Sequence, residues 1–248
     1  MMRILIINPN TTPGFTSLVH SIAESYALPG TEFVTENPTS GPRSIESIYD
    51  ELLSSAGTLE RLIQKKDHFD GFMIACYSDH PVIYAMREIS DKPVVGIAEA
   101  SMYMACMLGH KFSVVTTNDA WKPLLWDAVN HYGLQQRCAS VRTTGMAVLD
   151  LEDDKNQSYD LIKNEALKAI NEDGAEVICL GCAGMSGLDK RLAKDIGVPV
   201  IDGVVAALKF LEGLGQYGVI TSKVGAYNKP LPKTLDGLPE IFKDGYDS

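Results

Sequence analysis

The chain has 248 residues, 45% of them hydrophobic, and a formal net charge of −10. That much apolar material suits a substantial core, in one unit or in two lobes of about 100 residues each. The acidic balance argues against a nucleic-acid backbone or an anionic membrane as partner and leaves a neutral or weakly polar small molecule open.

In chain order, Arg3–Ile7 reads as an opening strand, because four apolar residues are too few for the core of a signal peptide. Further strands are expected at Glu32–Thr35, Gly71–Ala75, Val94–Ile97, Lys111–Thr116, Glu176–Leu180, Val198–Ile201 and Tyr217–Thr221. Amphipathic helix patterns fall between them, at Ile45–Gln64, Val82–Ile89, Ala98–Leu108, Tyr159–Asn171 and Val204–Leu214. The alternation predicts an α/β fold built on mainly parallel sheets. From Lys223 onward Pro230, Pro232 and Pro239 interrupt any period, so the tail is expected to pack as irregular chain. The longest apolar stretch, Pro93 to Gly109, contains Glu99 and is too short to span a bilayer. The five cysteines are odd in number and unevenly spaced, which suits free thiols in a reducing, cytoplasmic setting.

A weak internal repeat singles out two of those cysteines. Phe72-Met73-Ile74-Ala75 leads to Cys76, and Pro93-Val94-Val95-Gly96 begins seventeen positions later. Val177-Ile178-Cys179-Leu180-Gly181 leads to Cys182, and Pro199-Val200-Ile201-Asp202 again begins seventeen positions later. A strand ending in hydroxyls follows in each half, Val114-Val115-Thr116-Thr117 and Val219-Ile220-Thr221-Ser222. The expectation is two pseudo-symmetric lobes, residues 1–97 with 205–248 and residues 98–204, facing each other across a cleft. Each cysteine would end a strand, where open α/β sheets bind ligands. The competing reading is that both cysteines merely fill core.

Two thiols on opposite walls suit racemisation, which removes a proton from one face of a carbon and delivers one to the other. Cysteine ionises near neutral pH, so its acid and base forms are both reachable. The backbone N–H groups of Tyr77-Ser78-Asp79 and Ala183-Gly184-Met185 are expected to start helices and lower both thiol pKa values. Gly181 and Gly184 would let backbone approach a ligand, and Thr116 and Thr117 would offer hydroxyls to a substrate carbonyl.

These residues resemble the Asp/Glu racemase superfamily, in particular its hydantoin and allantoin racemase branch. The resemblance rests on Ile6-Ile7-Asn8-Pro9-Asn10-Thr11-Thr12, Gly41-Pro42-Arg43-Ser44-Ile45-Glu46, Ile74-Ala75-Cys76-Tyr77-Ser78-Asp79 and Gly96-Ile97-Ala98-Glu99-Ala100. It continues in Phe112-Ser113-Val114-Val115-Thr116-Thr117, Leu180-Gly181-Cys182-Ala183-Gly184-Met185 and Pro199-Val200-Ile201-Asp202-Gly203-Val204. It implies a two-lobed fold, no cofactor, no metal, a homo-oligomer, and Cys76 and Cys182 as an acid/base pair acting at C5 of a cyclic ureide. It also implies a pocket lined by Asn10, Ser44, Ile45, Ser78, Asp79, Thr116, Thr117, Gly181 and Gly184. Tyr77-Ser78 and Ala183-Gly184 depart from the Asn-Thr and Thr-His pairs usual beside the cysteines of amino-acid racemases, which favours the ureide branch. His80, between Asp79 and Pro81, is a second departure, and a surface position is expected for it.

Other signals carry less. Cys179-x-x-Cys182 lacks a second ligand pair for zinc. Gly213-x-Gly215-x-x-Gly218 lies between a helix and a strand, the reverse of a dinucleotide-binding context. Cys106 and Cys138 read as packing residues, and Glu152-Asp153-Asp154 as a solvated loop or helix start. The alternatives kept open are an amino-acid racemase, a decarboxylase or a cis–trans isomerase on the same scaffold, and a ureide-binding module without catalysis.

Overall fold

The computed structural model describes residues 2–152 and 155–246, so Asp153 and Asp154 of the acidic run lie outside the described residues. Strands β1 (Met2–Ile7), β2 (Thr31–Glu36), β3 (Gly71–Ile74) and β4 (Val94–Gly96) form one sheet in the order β2-β1-β3-β4. Strands β5 (Phe112–Thr116), β6 (Cys138–Thr143), β7 (Val177–Leu180) and β8 (Val200–Ile201) form a second in the order β6-β5-β7-β8. Every neighbouring pair is parallel. The two orders are the same, and β3 and β7, which precede the two cysteines, occupy equivalent places.

The helices are α1 (Pro13–Tyr26), α2 (Ile48–Lys65), α3 (Pro81–Ile89), α4 (Ile97–Leu108), α5 (Trp121–His131), α6 (Lys155–Asp173), α7 (Asp189–Ile196) and α8 (Gly203–Tyr217). Side-chain alternation along the strands assigns the layers. Leu5, Ile7, Phe72 and Ile74 point to α2 and α3, where Leu62, Ile83 and Met86 receive them. Val115, Ile178 and Leu180 meet Ile162 and Ala166 of α6 and Leu192 of α7. The opposite faces of both sheets, with Ile4, Ile6 and Met73 on one and Val114, Val177 and Cys179 on the other, share a single core with α1, α4, α5 and α8.

The chain crosses between the sheets twice, and each crossing helix lies on the sheet it did not come from. Helix α4 leaves β4 and packs on β5, β7 and β8, while α8 leaves β8 and packs on β1, β3 and β4. The two helices meet tightly at their starts: a Cβ on Gly203 would stand 2.9 Å from the carbonyl oxygen of Ile97. Asp202 caps α8 by accepting from the Val204 N–H at 2.8 Å.

The expected strand Tyr217–Thr221 does not form, and with it goes the second hydroxyl-bearing strand of the repeat. Helix α8 runs on through Tyr217 and closes at Gly218, whose φ of 80° suits a residue without a side chain. Beyond it Thr221 donates its N–H to Asp91 O (2.7 Å) and its hydroxyl to Lys92 O (2.8 Å). The edge of β4 is closed to a further strand there, because Nε and Nη2 of Arg87 both donate to Val94 O (3.1 and 2.8 Å). Conversely, β6 pairs at the outer edge of the second sheet, where no strand is expected from the sequence. Its half-exposed, mixed-polarity Cys138–Thr143 segment lacks an apolar run. Among the described residues no helix is long and apolar enough to cross a membrane.

Candidate active site

Both cysteines stand just past the carboxyl ends of central strands. The pairing runs one residue beyond β3 and β7, since the Ala75 N–H donates to Ile7 O and the Gly181 N–H to Val115 O, each at 2.8 Å. Cys76 and Cys182 come next, where the ladder stops. They line one cavity of about 40 Å³. Asn10, Ile45 and Tyr77 of one half face Thr117, Gly181 and Gly184 of the other, and Phe15, Trp121 and Val148 add apolar walls. One water needs about 10–15 Å³ on this measure, so the cavity has room for a few water molecules.

The groups around each sulfur differ. Ser78 donates its hydroxyl to Cys76 Sγ (3.4 Å), and the Gly184 backbone N–H donates to Cys182 Sγ (3.4 Å). Helix α3 begins only at Pro81, so the Tyr77-Ser78-Asp79 N–H groups do not start a helix. Ala183–Met185 forms a single 3₁₀ turn, with α7 starting at Asp189. The expected lowering of the thiol pKa values is therefore overturned. Burial pushes the Cys182 thiol up to about 11; the Gly184 and Met185 N–H groups oppose this, while the Glu46 carboxylate adds to it. Burial pushes Cys76 higher still, with Glu51 adding to the rise and Ser78 opposing it.

The expected pocket residues divide into those on the cavity wall and those behind it. Asn10 is on the wall; its Oδ1 accepts from the Thr12 N–H (2.9 Å) and from Asn8 Nδ2 (3.1 Å). Its own NH₂ has no protein partner among the described residues. Thr117 is also on the wall, and its buried hydroxyl has no partner among the described residues. An unpaired buried hydroxyl is costly unless something else uses it. Gly181 is required by close approach, because a Cβ there would lie 2.7 Å from Thr116 Cβ and 2.8 Å from Val115 O. At Gly184 a Cβ would meet Leu151 Cδ1 at 2.8 Å and Phe15 at 3.1 Å. Ile45 contributes an apolar wall.

Four others sit behind the wall. Ser78 touches Cys76. Thr116 donates to Gly181 O (2.6 Å), which braces the Cys182 loop. Ser44 donates to Glu46 Oε1 (2.8 Å). Asp79 is turned away, its carboxylate engaged by Tyr84, His131 and Tyr132. His80 is fully buried, not at the surface as expected. Its Nδ1 accepts from the Val82 N–H (3.3 Å), capping α3, and its Nε2 meets Ser54 Oγ (3.0 Å). Burial pulls its pKa down to about 4, which keeps it neutral.

Phe15, Trp121, Val148 and Glu46 escaped the sequence reading. Nothing local distinguishes an apolar residue on a cavity wall from one in the core. Glu46 had a signal, its place beside Ser44-Ile45, and the structure bonds it to Asn118 of the other sheet's loops (3.1 Å). Cys179, buried in β7, has its thiol against Ser101 O (3.7 Å), so it forms no pair with Cys182.

Residues 4–211 match the family model described as Asp/Glu/Hydantoin racemase. A hydantoin racemase of Pseudomonas sp. (strain NS671) is 46% identical over 242 residues, covering 97% of each chain. The solved allantoin racemase of Pseudomonas fluorescens superposes with a TM-score of 0.92 at 44% identity, over 95% of this chain and 100% of that one. The allantoin racemase of Klebsiella pneumoniae gives 0.91 at 39% identity, over 96% and 97%. The chain belongs to the Asp/Glu/Hydantoin racemase family.

Proposed function

We propose that this protein racemises a cyclic ureide, allantoin or a 5-substituted hydantoin, by passing protons between Cys76, C5 of the ring and Cys182. The observation that carries this reading is that the two thiols, from equivalent ends of two sheets, line one cavity. One thiol, as thiolate, takes the C5 proton. The electron pair left behind spreads into the adjacent C4 carbonyl as an enolate, and the other thiol gives its proton to the opposite face. Each turnover leaves one thiol and one thiolate with roles exchanged, so no oxidant, reductant or cofactor enters the balance.

The environment suits a weak carbon acid. A thiol pushed above its ordinary value is a stronger base once ionised, closer in proton affinity to the carbanion it must form. Thr117 Oγ1 and the Asn10 NH₂, both on the wall and without a partner among the described residues, would hold ring carbonyls, and the Gly184 N–H steadies the Cys182 thiolate. Among the described residues no charged side chain lines the cavity, which favours a neutral ureide over the carboxylate of a free amino acid. The cavity lies between the lobes formed by residues 1–97 with 205–248 and residues 98–204, and a ring substrate must widen it on entry.

The proposal extends to a homo-oligomer in the reducing cytoplasm. The cysteines are unpaired, and Tyr103, Met107 and Ile220 leave apolar surface uncovered beside α4. Light scattering during size-exclusion chromatography reads the first point: a mass of one chain contradicts it.

The function is tested with (S)-allantoin and a 5-alkylhydantoin in D₂O. Optical rotation should decay to zero without loss of carbon dioxide, with one deuterium entering at C5. Rotation that persists with both compounds overturns the reading.

A further inference from the structure

We propose that Asp79 is a positioning residue, not a substrate ligand: its carboxylate latches the loop that carries Cys76 to the far lobe and so sets the separation of the two thiols. Asp79 lies three residues after Cys76, in the segment between β3 and α3. Its Oδ1 accepts from the Tyr84 hydroxyl of α3 (2.5 Å) and from the Tyr132 hydroxyl (3.1 Å), and its Oδ2 accepts from the His131 ring Nδ1–H (2.5 Å). Tyr84 belongs to the same lobe as Asp79. His131 and Tyr132 belong to the other, at the C-terminal end of α5, whose first residue Trp121 lines the cavity. One carboxylate thus joins the Cys76 loop to the helix that forms part of the opposite wall.

The latch is braced from behind. The Arg87 guanidinium sits over the rings of Tyr84 (5.6 Å) and Tyr227 (5.7 Å) and pairs with Glu99 at 2.6 Å. This fixes the Tyr84 ring and ties it to the C-terminal tail. Burial, then Asp79 itself, hold the Tyr132 phenol well above its ordinary ionisation, so it stays a donor. With the acceptor oxygens committed to three donors, Asp79 has little left to offer a ureide N–H, and it does not reach the cavity wall.

The consequence follows from topology. The thiols ride on different sheets, and the covalent links between the halves are the crossings into α4 and α8. Elsewhere the gap between the sulfurs depends on side-chain contacts, and a small misplacement of a reacting group lowers rate steeply. In its catalytic consequence this inference rests on the two-thiol reading; in its structural consequence it does not.

The test uses the full chain with Asp79→Ala and, from the other lobe, Tyr132→Phe. Iodoacetamide labelling is followed by mass spectrometry at Cys76, Cys182 and the fully buried Cys179. Losing bonds to a charged group is expected to speed labelling of Cys76 and Cys182 roughly 10-fold in Asp79→Ala. Tyr132→Phe should act in the same direction to a smaller extent, with Cys179 unchanged in both. In racemisation assays both variants should lose kcat with little change in KM. Unchanged labelling overturns the latch, as does Cys179 accelerating in step or a silent Tyr132→Phe. An Asp79→Ala defect confined to KM marks a ligand instead. Because labelling needs no substrate, failure of the latch and failure of the proposed activity are read separately.

Discussion

Cys76 and Cys182 stand at equivalent ends of equivalent strands, yet their surroundings hold a proton differently. Cys182 is approached by backbone N–H groups of its own 3₁₀ turn, whereas Cys76 has one serine hydroxyl and the Glu51 carboxylate nearby. Burial raises both, but Cys182 less, so Cys182 ionises first. Two walls built on one topology therefore need not be chemically alike, because the groups at a sulfur come from the helices and turns around it and not from the shared strands.

The comparison can be broken most sharply at the sulfurs. Cys76→Ala and Cys182→Ala should each lower racemisation by about 10²–10⁴, the usual contribution of a positioned acid or base. Cys76→Ala should still exchange C5–H for deuterium in the enantiomer presented to Cys182, without inverting it. If either variant racemises at the wild-type rate, the two-thiol mechanism is wrong.

The pH response comes next. Both thiols rest neutral in the folded protein, so kcat/KM should climb roughly 10-fold per pH unit above neutrality as thiolate forms. A plateau reached below pH 8 contradicts the raised thiols. The same shift bears on stability. A group whose folded pKa is raised contributes stability that is complete below its unfolded value and lost as pH passes its folded value. Alkaline destabilisation should therefore set in above the ordinary thiol value of about 8.5 and continue through about 11, where Cys182 ionises. Cys182→Ser should blunt it in denaturation curves taken between those limits.

Smaller effects separate the wall from its supports. Gly181→Ala drives a methyl into Thr116 and a backbone oxygen and should cost about 1–3 kcal/mol of stability in urea denaturation. Gly184→Ala meets side-chain ends that can shift, so it should fold normally while filling the cavity. Thr116→Val should lose about 1 kcal/mol with its bond to Gly181 O. Thr117→Val removes an unpaired hydroxyl and should leave stability level while lowering kcat/KM about 5–10-fold. The reverse pattern for the two threonines would exchange their roles.

The amino-acid sequence by itself determined the alternation of strands and helices and the position of each cysteine after an apolar run. Those features are local: Ile4–Ile7 or Val177–Leu180 must be buried on both faces whatever surrounds them. It misread Tyr217–Thr221, because Gly218 ending a helix and Gly218 opening a strand leave the same mark in the chain, and Arg87 closing the edge of β4 lies far away in sequence. It misplaced His80 at the surface and gave no sign of the bonds that engage Asp79, since Ser54, His131 and Tyr132 become their neighbours only after folding. The protonation of the thiols, the exchange of α4 and α8 between the sheets and the identity of Phe15, Trp121 and Glu46 as neighbours of the cavity were decided by tertiary structure. Burial and charge depend on what meets across the gap between lobes, and no spacing along one chain encodes that meeting.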